Sequence, residues 1–148
     1  MDRTELAHWL RLMATPGVGN ETVRALLARF GLPQAIFEQP MASLRAVAGP
    51  AMARALAQPA DDLERLVQAT WDWQHDAAHG GVKAVITLAD PRYPPALLAI
   101  EDPPPLLYLH GAARWLEPGA PRATDADGAD GADRLAQAPA PGAALGLD

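Results

Sequence analysis

Residues 12–30 read LMATPGVGNETVRALLARF and join an apolar segment, a Pro-Gly-Val-Gly turn and an amphipathic segment. Gly17 and Gly19 permit the positive φ of a tight turn and leave their amides uncovered. Asn20 is a residue type that caps helices, and apolar residues at helical spacing follow it. The stretch therefore predicts a helix-hairpin-helix with several N–H donors near the positive end of the second helix.

This turn supports two interpretations. The amides of Gly17, Val18 and Gly19, together with Asn20 and Arg24, form a site that can hold a phosphate. The same turn also joins helices in proteins that never bind nucleic acid, and it is then purely structural. Arg24 lies off the apolar stripe of its helix, so its side chain is predicted to face solvent.

The flanking sequence predicts further short helices. Asp2 starts a first helix that ends near Met13, and the second helix is predicted over residues 20–30. Pro33 and Pro40 each begin another helix.

A second hairpin turn is predicted at Gly49-Pro50, and it completes a unit of about five short helices over residues 1–58. Pro50 has no amide hydrogen, so this second turn loses a donor and is predicted to be structural.

The next helix is predicted to connect two parts of the chain over residues 59–81. Asp61 or Asp62 begins it, and Gly80-Gly81 ends it. Two strands follow, over residues 82–87 and 106–110.

Two strands alone do not make a stable sheet, and the rest of the chain offers no partner for them. Of the 32 residues in 117–148, 19 are Ala, Gly or Pro, a composition that predicts a disordered tail. The exposed strand edges therefore predict poor solubility or pairing with another chain, including formation of a homodimer.

The distribution of charge bears on DNA binding, and the lack of cysteine bears on the cellular location that the sequence predicts. The net charge is −6, yet residues 1–57 hold six Arg and only four acidic residues. Arg24, Arg29, Arg45 and Arg54 either form a phosphate-facing set or are ordinary solvated positions. The chain has no Cys, and it contains nothing like a signal peptide or a membrane span, so we expect a cytoplasmic protein without membrane contact.

Two groups of residues have types that could serve catalysis or metal binding, but their sequence context favours structural roles. Asp90 and Asp102 are each followed by Pro, a context in which Asp usually caps a turn, so neither is expected to be catalytic and the chain is not expected to be an enzyme. Asp72, His75 and His79 have the spacing of metal ligands. Both histidines are predicted near a helix C-terminus, where imidazole interacts favourably with the helix dipole, so no metal is needed to explain them. We expect no metal and no other cofactor.

Residues 86–111, ITLADPRYPPALLAIEDPPPLLYLHG, resemble the start of the Rossmann-like domain of the bacterial DNA-processing protein A family (DprA, also called Smf). The family pattern is D-x-x-YP-x-x-L-x-x-I-x-DPP-x-x-LY-x-x-G. Residues 6–56 resemble the helix-hairpin-helix, SAM-like N-terminal domain of the same family, and the resemblance covers about residues 4–116. The matching positions of the pattern are Asp90, Tyr93, Pro94, Leu97, Ile100, Asp102, Pro103, Pro104, Leu107, Tyr108 and Gly111.

The resemblance implies a mainly α fold: a tandem helix-hairpin-helix domain, then an incomplete Rossmann-like domain over residues 82–116, then the tail. It also implies single-stranded DNA binding and loading of the RecA recombinase during natural transformation, competence and DNA recombination. The family's phosphate-binding Gly-Ser-Arg turn, due shortly after Leu116, has no counterpart here. We therefore expect a truncated or frame-disrupted fragment with weak or no DNA binding; the alternative is a protein-interaction module that binds no DNA.

Overall fold

The structure is a computed structural model that describes residues 1–78 and 80–112. His79, the predicted tail over residues 117–148 and the last four residues of the predicted Rossmann-like segment lie outside the described residues. The described part is mainly α-helical with one small sheet, as the sequence predicts. Its elements are α1 (Arg3–Ala14), α2 (Asn20–Phe30), α3 (Pro33–Phe37), α4 (Met41–Ala57), α5 (Leu63–His75), β1 (Val82–Thr87), α6 (Pro95–Leu98) and β2 (Leu106–Gly111).

Helices α1, α3 and α4 begin and turn where their residue types predict. Asp2 is the N-cap of α1, and its carboxylate accepts a hydrogen bond from the Glu5 amide at 2.8 Å. Pro33 occupies the first turn of α3, where a missing N–H breaks no helical bond. α4 is interrupted at Gly49, which has a φ of 82°, and Pro50 begins its second half. The second predicted turn is therefore a sharp kink between two helical segments.

α5 is shorter than the sequence predicts, because it ends at His75 and not at Gly80-Gly81. Asp76 is extended, with φ −75° and ψ 117°, and its carboxylate accepts a hydrogen bond from the Ala78 amide at 2.9 Å. An Asp side chain that binds the backbone two residues later competes with continuation of a helix.

Two hydrophobic cores meet at α1. The first core contains side chains from all four helices α1, α2, α3 and α4. It excludes water between the helices of both predicted hairpins. The second core joins α1 and α5 to one face of the sheet, so the sheet is packed directly on the helices. The buried members of the first are Leu12, Val23, Leu26, Ile36, Leu44, Ala53 and Leu56, and those of the second are Leu6, Leu10, Val67 and Val85.

The two strands form the described sheet by pairing with each other. They are antiparallel, with Val82 opposite Gly111 and Thr87 opposite Leu106. The sequence predicts that they need further strands, but α1 and α5 cover one face, and a helix layer can replace additional strands. Ala84 and Ile86 are buried on the opposite face with Tyr93.

A run of three prolines is fixed against the loop that follows β1. Consecutive carbonyls of this run accept hydrogen bonds: Pro103 from Arg24 at 3.2 Å, Pro104 from the Tyr93 hydroxyl at 2.7 Å, and Pro105 from the Leu88 amide at 3.0 Å. Burial raises the pKa of Tyr93, so this hydroxyl keeps its proton as a donor. The segment before β2 therefore has a defined position although it contains no amide donors of its own.

Asp90 caps its own turn, as predicted. Its carboxylate accepts hydrogen bonds from the Arg92 amide at 2.9 Å and from the Arg92 guanidinium at 2.7 and 3.0 Å. The Arg92 side chain is the main cause that holds the pKa of Asp90 below its ordinary value, and partial burial acts in the opposite direction.

This arrangement predicts a pH dependence of stability. A carboxyl with a lower pKa in the folded than in the unfolded chain adds stability above its unfolded pKa of about 3.9, and the contribution is lost as the pH falls through the folded pKa. Asp90→Asn keeps an acceptor for the Arg92 amide but cannot ionise. We expect the difference in urea stability between wild type and Asp90→Asn to be present at neutral pH and to shrink as the pH falls below about 4.

Arg92→Gln is the matched variant for this prediction. It should remove most of the same acid-linked part of stability, because the backbone amide of residue 92 still donates to Asp90, and the double variant should lose no more of it than Asp90→Asn alone. An acid-linked loss that persists in full in both single variants would contradict the assignment to this pair.

Candidate nucleic-acid interface

The Pro-Gly-Val-Gly turn connects α1 to α2. Gly17 has a φ of 80°, which favours glycine, but Gly19 has a φ of −90° and a ψ of 170°, so the prediction of a positive φ is wrong at Gly19. The Val18 amide donates to the Thr15 carbonyl at 3.2 Å and closes the turn. A Cβ at Gly17 would lie 3.4 Å from Cε of Met52, so the turn approaches the second half of α4.

The turn presents backbone donors, though not all those that were predicted. Within residues 1–78 and 80–112, the amides of Gly17, Gly19 and Asn20 have no backbone acceptor, whereas the Val18 amide is used inside the turn. Gly17 and Gly19 are exposed. Two of these amides therefore belong to exposed glycines at or beside the positive end of α2, where backbone donors favour an anion.

The prediction that Asn20 caps α2 is wrong. Gly19 is the N-cap, because its backbone is extended and the helix already includes Asn20. At the first helical position the Asn20 side chain is directed elsewhere, and its amide Nδ2 donates to Oδ2 of Asp102 at 3.0 Å.

Arg24 joins Asn20 in binding the same carboxylate. Its guanidinium forms a hydrogen-bonded ion pair with Oδ1 of Asp102 and also donates to the Pro103 carbonyl. Its side chain is only 28% exposed, so the prediction that it faces solvent is wrong. Asn20 and Arg24 are four residues apart on one helix face, which lets both reach one anion.

Asp102 therefore differs from Asp90, although both were predicted to cap turns. Asp102 bridges to α2 across 82 residues of sequence and leaves one edge of its carboxylate in water, with a side chain that is 60% exposed. Hydrogen bonds from Arg24, and secondarily from Asn20, lower the pKa of Asp102. The carboxylate is thus held as an anion against the first two turns of α2.

The other arginines near the hairpins are solvated. Arg45 and Arg54 are exposed on the two halves of α4. Arg29 is exposed near the end of α2, with its guanidinium carbon 5.8 Å from the Phe30 ring centroid. In the described part of the chain none of the three pairs with a carboxylate.

A groove beside Arg24 was not anticipated from the sequence. It is an open groove of about 460 Å³ between α2 and the loop after β1. Trp9 lies beneath it, fully buried, and its indole Nε1 has no hydrogen-bond partner among the described residues. Only the apolar spacing of α1 signals Trp9, and no local pattern signals the groove. Its lining consists of Trp9, Arg24, Leu27, Ala28, Gly31, Leu32, Leu88 and Ala89.

The residues with metal-ligand spacing do not assemble into a site in the part of the chain that is described. No group of three or more His, Asp or Glu side chains there could hold a metal ion. Asp72 accepts a hydrogen bond from Gln68, and Nδ1 of His75 lies 2.8 Å from the Trp71 carbonyl oxygen. His79 lies outside the described residues. Among the described helices, none is long and apolar enough to cross a bilayer.

Comparison with protein-family models, curated proteins and solved structures finds no match to this chain. The resemblance of the hairpin sequence and of segment 86–111 to the DNA-processing protein A family therefore stays a prediction from the sequence.

Proposed function

We propose that this chain is a nonenzymatic, cytoplasmic DNA-processing protein of the DprA type that binds single-stranded DNA through its first hairpin. Residues 1–58 serve as the helix-hairpin-helix domain, residues 59–81 connect it onward, and residues 82–116 begin a Rossmann-like domain. The proposed role is in natural transformation and recombination, with the RecA recombinase as partner by family resemblance.

One observation carries the proposal: the donors of the first hairpin already hold an anion. Arg24 and Asn20 bind the two oxygens of one carboxylate, and a phosphate offers the same acceptors. The backbone amides of Gly17 and Gly19 add hydrogen-bond donors that involve no side chain. Such backbone donors are common where proteins bind the phosphates of nucleic acids.

The binding should be weak and independent of DNA sequence. The described donors suit a single phosphate, and the net charge of −6 opposes nonspecific attraction of DNA. Affinity should fall with salt, with a slope of about −0.7 in log–log form for each phosphate contacted on a single strand.

The test is fluorescence anisotropy of a labelled single-stranded oligonucleotide with the full chain at low and moderate salt. Arg24→Ala should weaken binding by about tenfold, the order of a lost hydrogen bond to a charged group. Gly19→Pro, which removes one amide at a φ of −90°, near the range that proline takes, should weaken it by about two- to fivefold.

Each variant has a matched control. Arg65→Ala removes the same charge from the acidic helix α5 and should change affinity by less than about twofold. Gly19→Ala keeps the amide, and its Cβ would meet nothing within 4 Å, so it should bind like wild type. Equal losses in Arg24→Ala and Arg65→Ala would show that only net charge matters and would contradict a site at this hairpin.

The groove favours a second candidate function, a protein-interaction module without DNA binding. Leu32, one of the groove residues, is 50% exposed and adjoins the other apolar residues of the lining, and a contiguous apolar surface is typical of protein interaction sites. Absence of DNA binding at low salt would favour this function. Leu32→Asp would then be expected to weaken binding of the protein partner, because it removes an apolar side chain from the groove.

A further inference from the structure

Asp102 occupies the place that the proposed function gives to phosphate. Its two oxygens accept from Asn20 and Arg24, which are the only side chains among the proposed phosphate ligands. A phosphate bound there would need the same donor atoms, so the carboxylate and the phosphate exclude each other.

The proline segment that follows Asp102 also holds it in position. The carbonyls of the next three residues, Pro103 to Pro105, are each hydrogen-bonded, two of them to the loop after β1. Pro105 is fully buried. A rigid proline segment therefore presents the carboxylate to α2, and the order of that segment does not depend on Asp102 itself.

The carboxylate nevertheless remains displaceable. Its side chain is 60% exposed, and an exposed ion pair contributes little to stability. Glu101, its neighbour in sequence, is also exposed but has no ion pair with the described residues. The contact is thus specific to one of two adjacent acidic residues.

We propose that Asp102 is an autoinhibitory latch: its carboxylate closes the anion site of the first hairpin, and single-stranded DNA binds by displacing it. This rests on the proposed function. Binding of DNA at α2 would then free Asp102 from α2, which couples the hairpin to the segment leading into β2.

The test compares binding of a fluorescent single-stranded oligothymidylate by wild type, Asp102→Ala and Glu101→Ala, each as the full chain. Asp102→Ala should tighten binding by about three- to tenfold, because a competing anion is removed. Glu101→Ala changes the net charge equally and should tighten binding by less than about twofold.

Asp102→Ala should gain much less affinity in the Arg24→Ala background than in wild type, since only the Asn20 side chain is then left for the latch to release. Asp102→Asn removes the charge with little change of shape, and it replaces Asp102→Ala if circular dichroism shows that the alanine variant does not fold.

The outcomes separate the latch from the function on which it rests. If wild type binds through Arg24 and Asp102→Ala gains no more than Glu101→Ala, the latch is overturned and the DNA site stands. If neither wild type nor the opened variants bind at low salt, both proposals are overturned, because a vacated site that takes no nucleic acid is not a DNA site.

Discussion

Replacing Trp9 by alanine is expected to lower the free energy of unfolding by about 3–5 kcal/mol, the range for truncation of a buried Trp. Trp9 is fully buried and lies where α1 meets α2 and the loop after β1. Its loss would leave a cavity beneath the groove. Because small domains have only about 5–15 kcal/mol of stability, this change should shift the urea midpoint strongly. Unfolding followed by far-ultraviolet circular dichroism measures it.

Trp9→Phe is the matched variant, because no group in residues 1–78 and 80–112 forms a hydrogen bond with the indole Nε1. A buried donor without a partner costs about 1–3 kcal/mol, and phenylalanine removes that donor while it keeps most of the apolar volume. We therefore expect Trp9→Phe to cost no more than about 1.5 kcal/mol. A loss as large as that of Trp9→Ala would mean that the indole N–H is needed, contrary to its environment.

Gly81→Ala should have the second largest effect. Gly81 has a φ of 74°, and a Cβ there would lie 2.7 Å from the Gly111 carbonyl oxygen, which belongs to the backbone and cannot rotate away. The left-handed backbone costs an L-residue about 1–2 kcal/mol. The collision adds about 1–3 kcal/mol by analogy with overpacking, and it lies where β1 and β2 begin to pair.

Gly80→Ala separates these two costs. Gly80 also has a positive φ, 64°, but a Cβ there would meet no atom of the described residues within 4 Å. It should therefore show only the left-handed penalty of about 1–2 kcal/mol. Equal urea midpoints for the two variants would contradict the close approach of Gly81 to β2.

Local patterns were enough to predict most elements of this fold. The boundaries of α2, of β1 and of the kink at Gly49 follow from periodicity, Gly and Pro, all of which act over a few residues. The early end of α5 was missed because Asp76 binds the Ala78 amide, a local competition that apolar spacing does not reveal.

Only the backbone part of the candidate site, the glycine turn, could be predicted from the sequence. The turn sequence identifies Gly17 and Gly19 as open positions, but the identity of the cap depended on one residue of register between Gly19 and Asn20. The partner of Arg24 is 78 residues away, and no pattern within α2 indicates which distant carboxylate will reach it. Tertiary packing of the proline run, and not helix periodicity, determines where Arg24 points.

The distance in sequence between Asp102 and α2 also has a consequence for biosynthesis. The core of α1 to α4 contains no buried residue beyond Leu56, and N-terminal parts of a chain fold first as the ribosome releases them. The first hairpin can therefore be complete while Asp102 has not yet been translated. If the proposed latch is correct, the anion site on the nascent chain would be open, and it would close only after the segment before β2 has emerged.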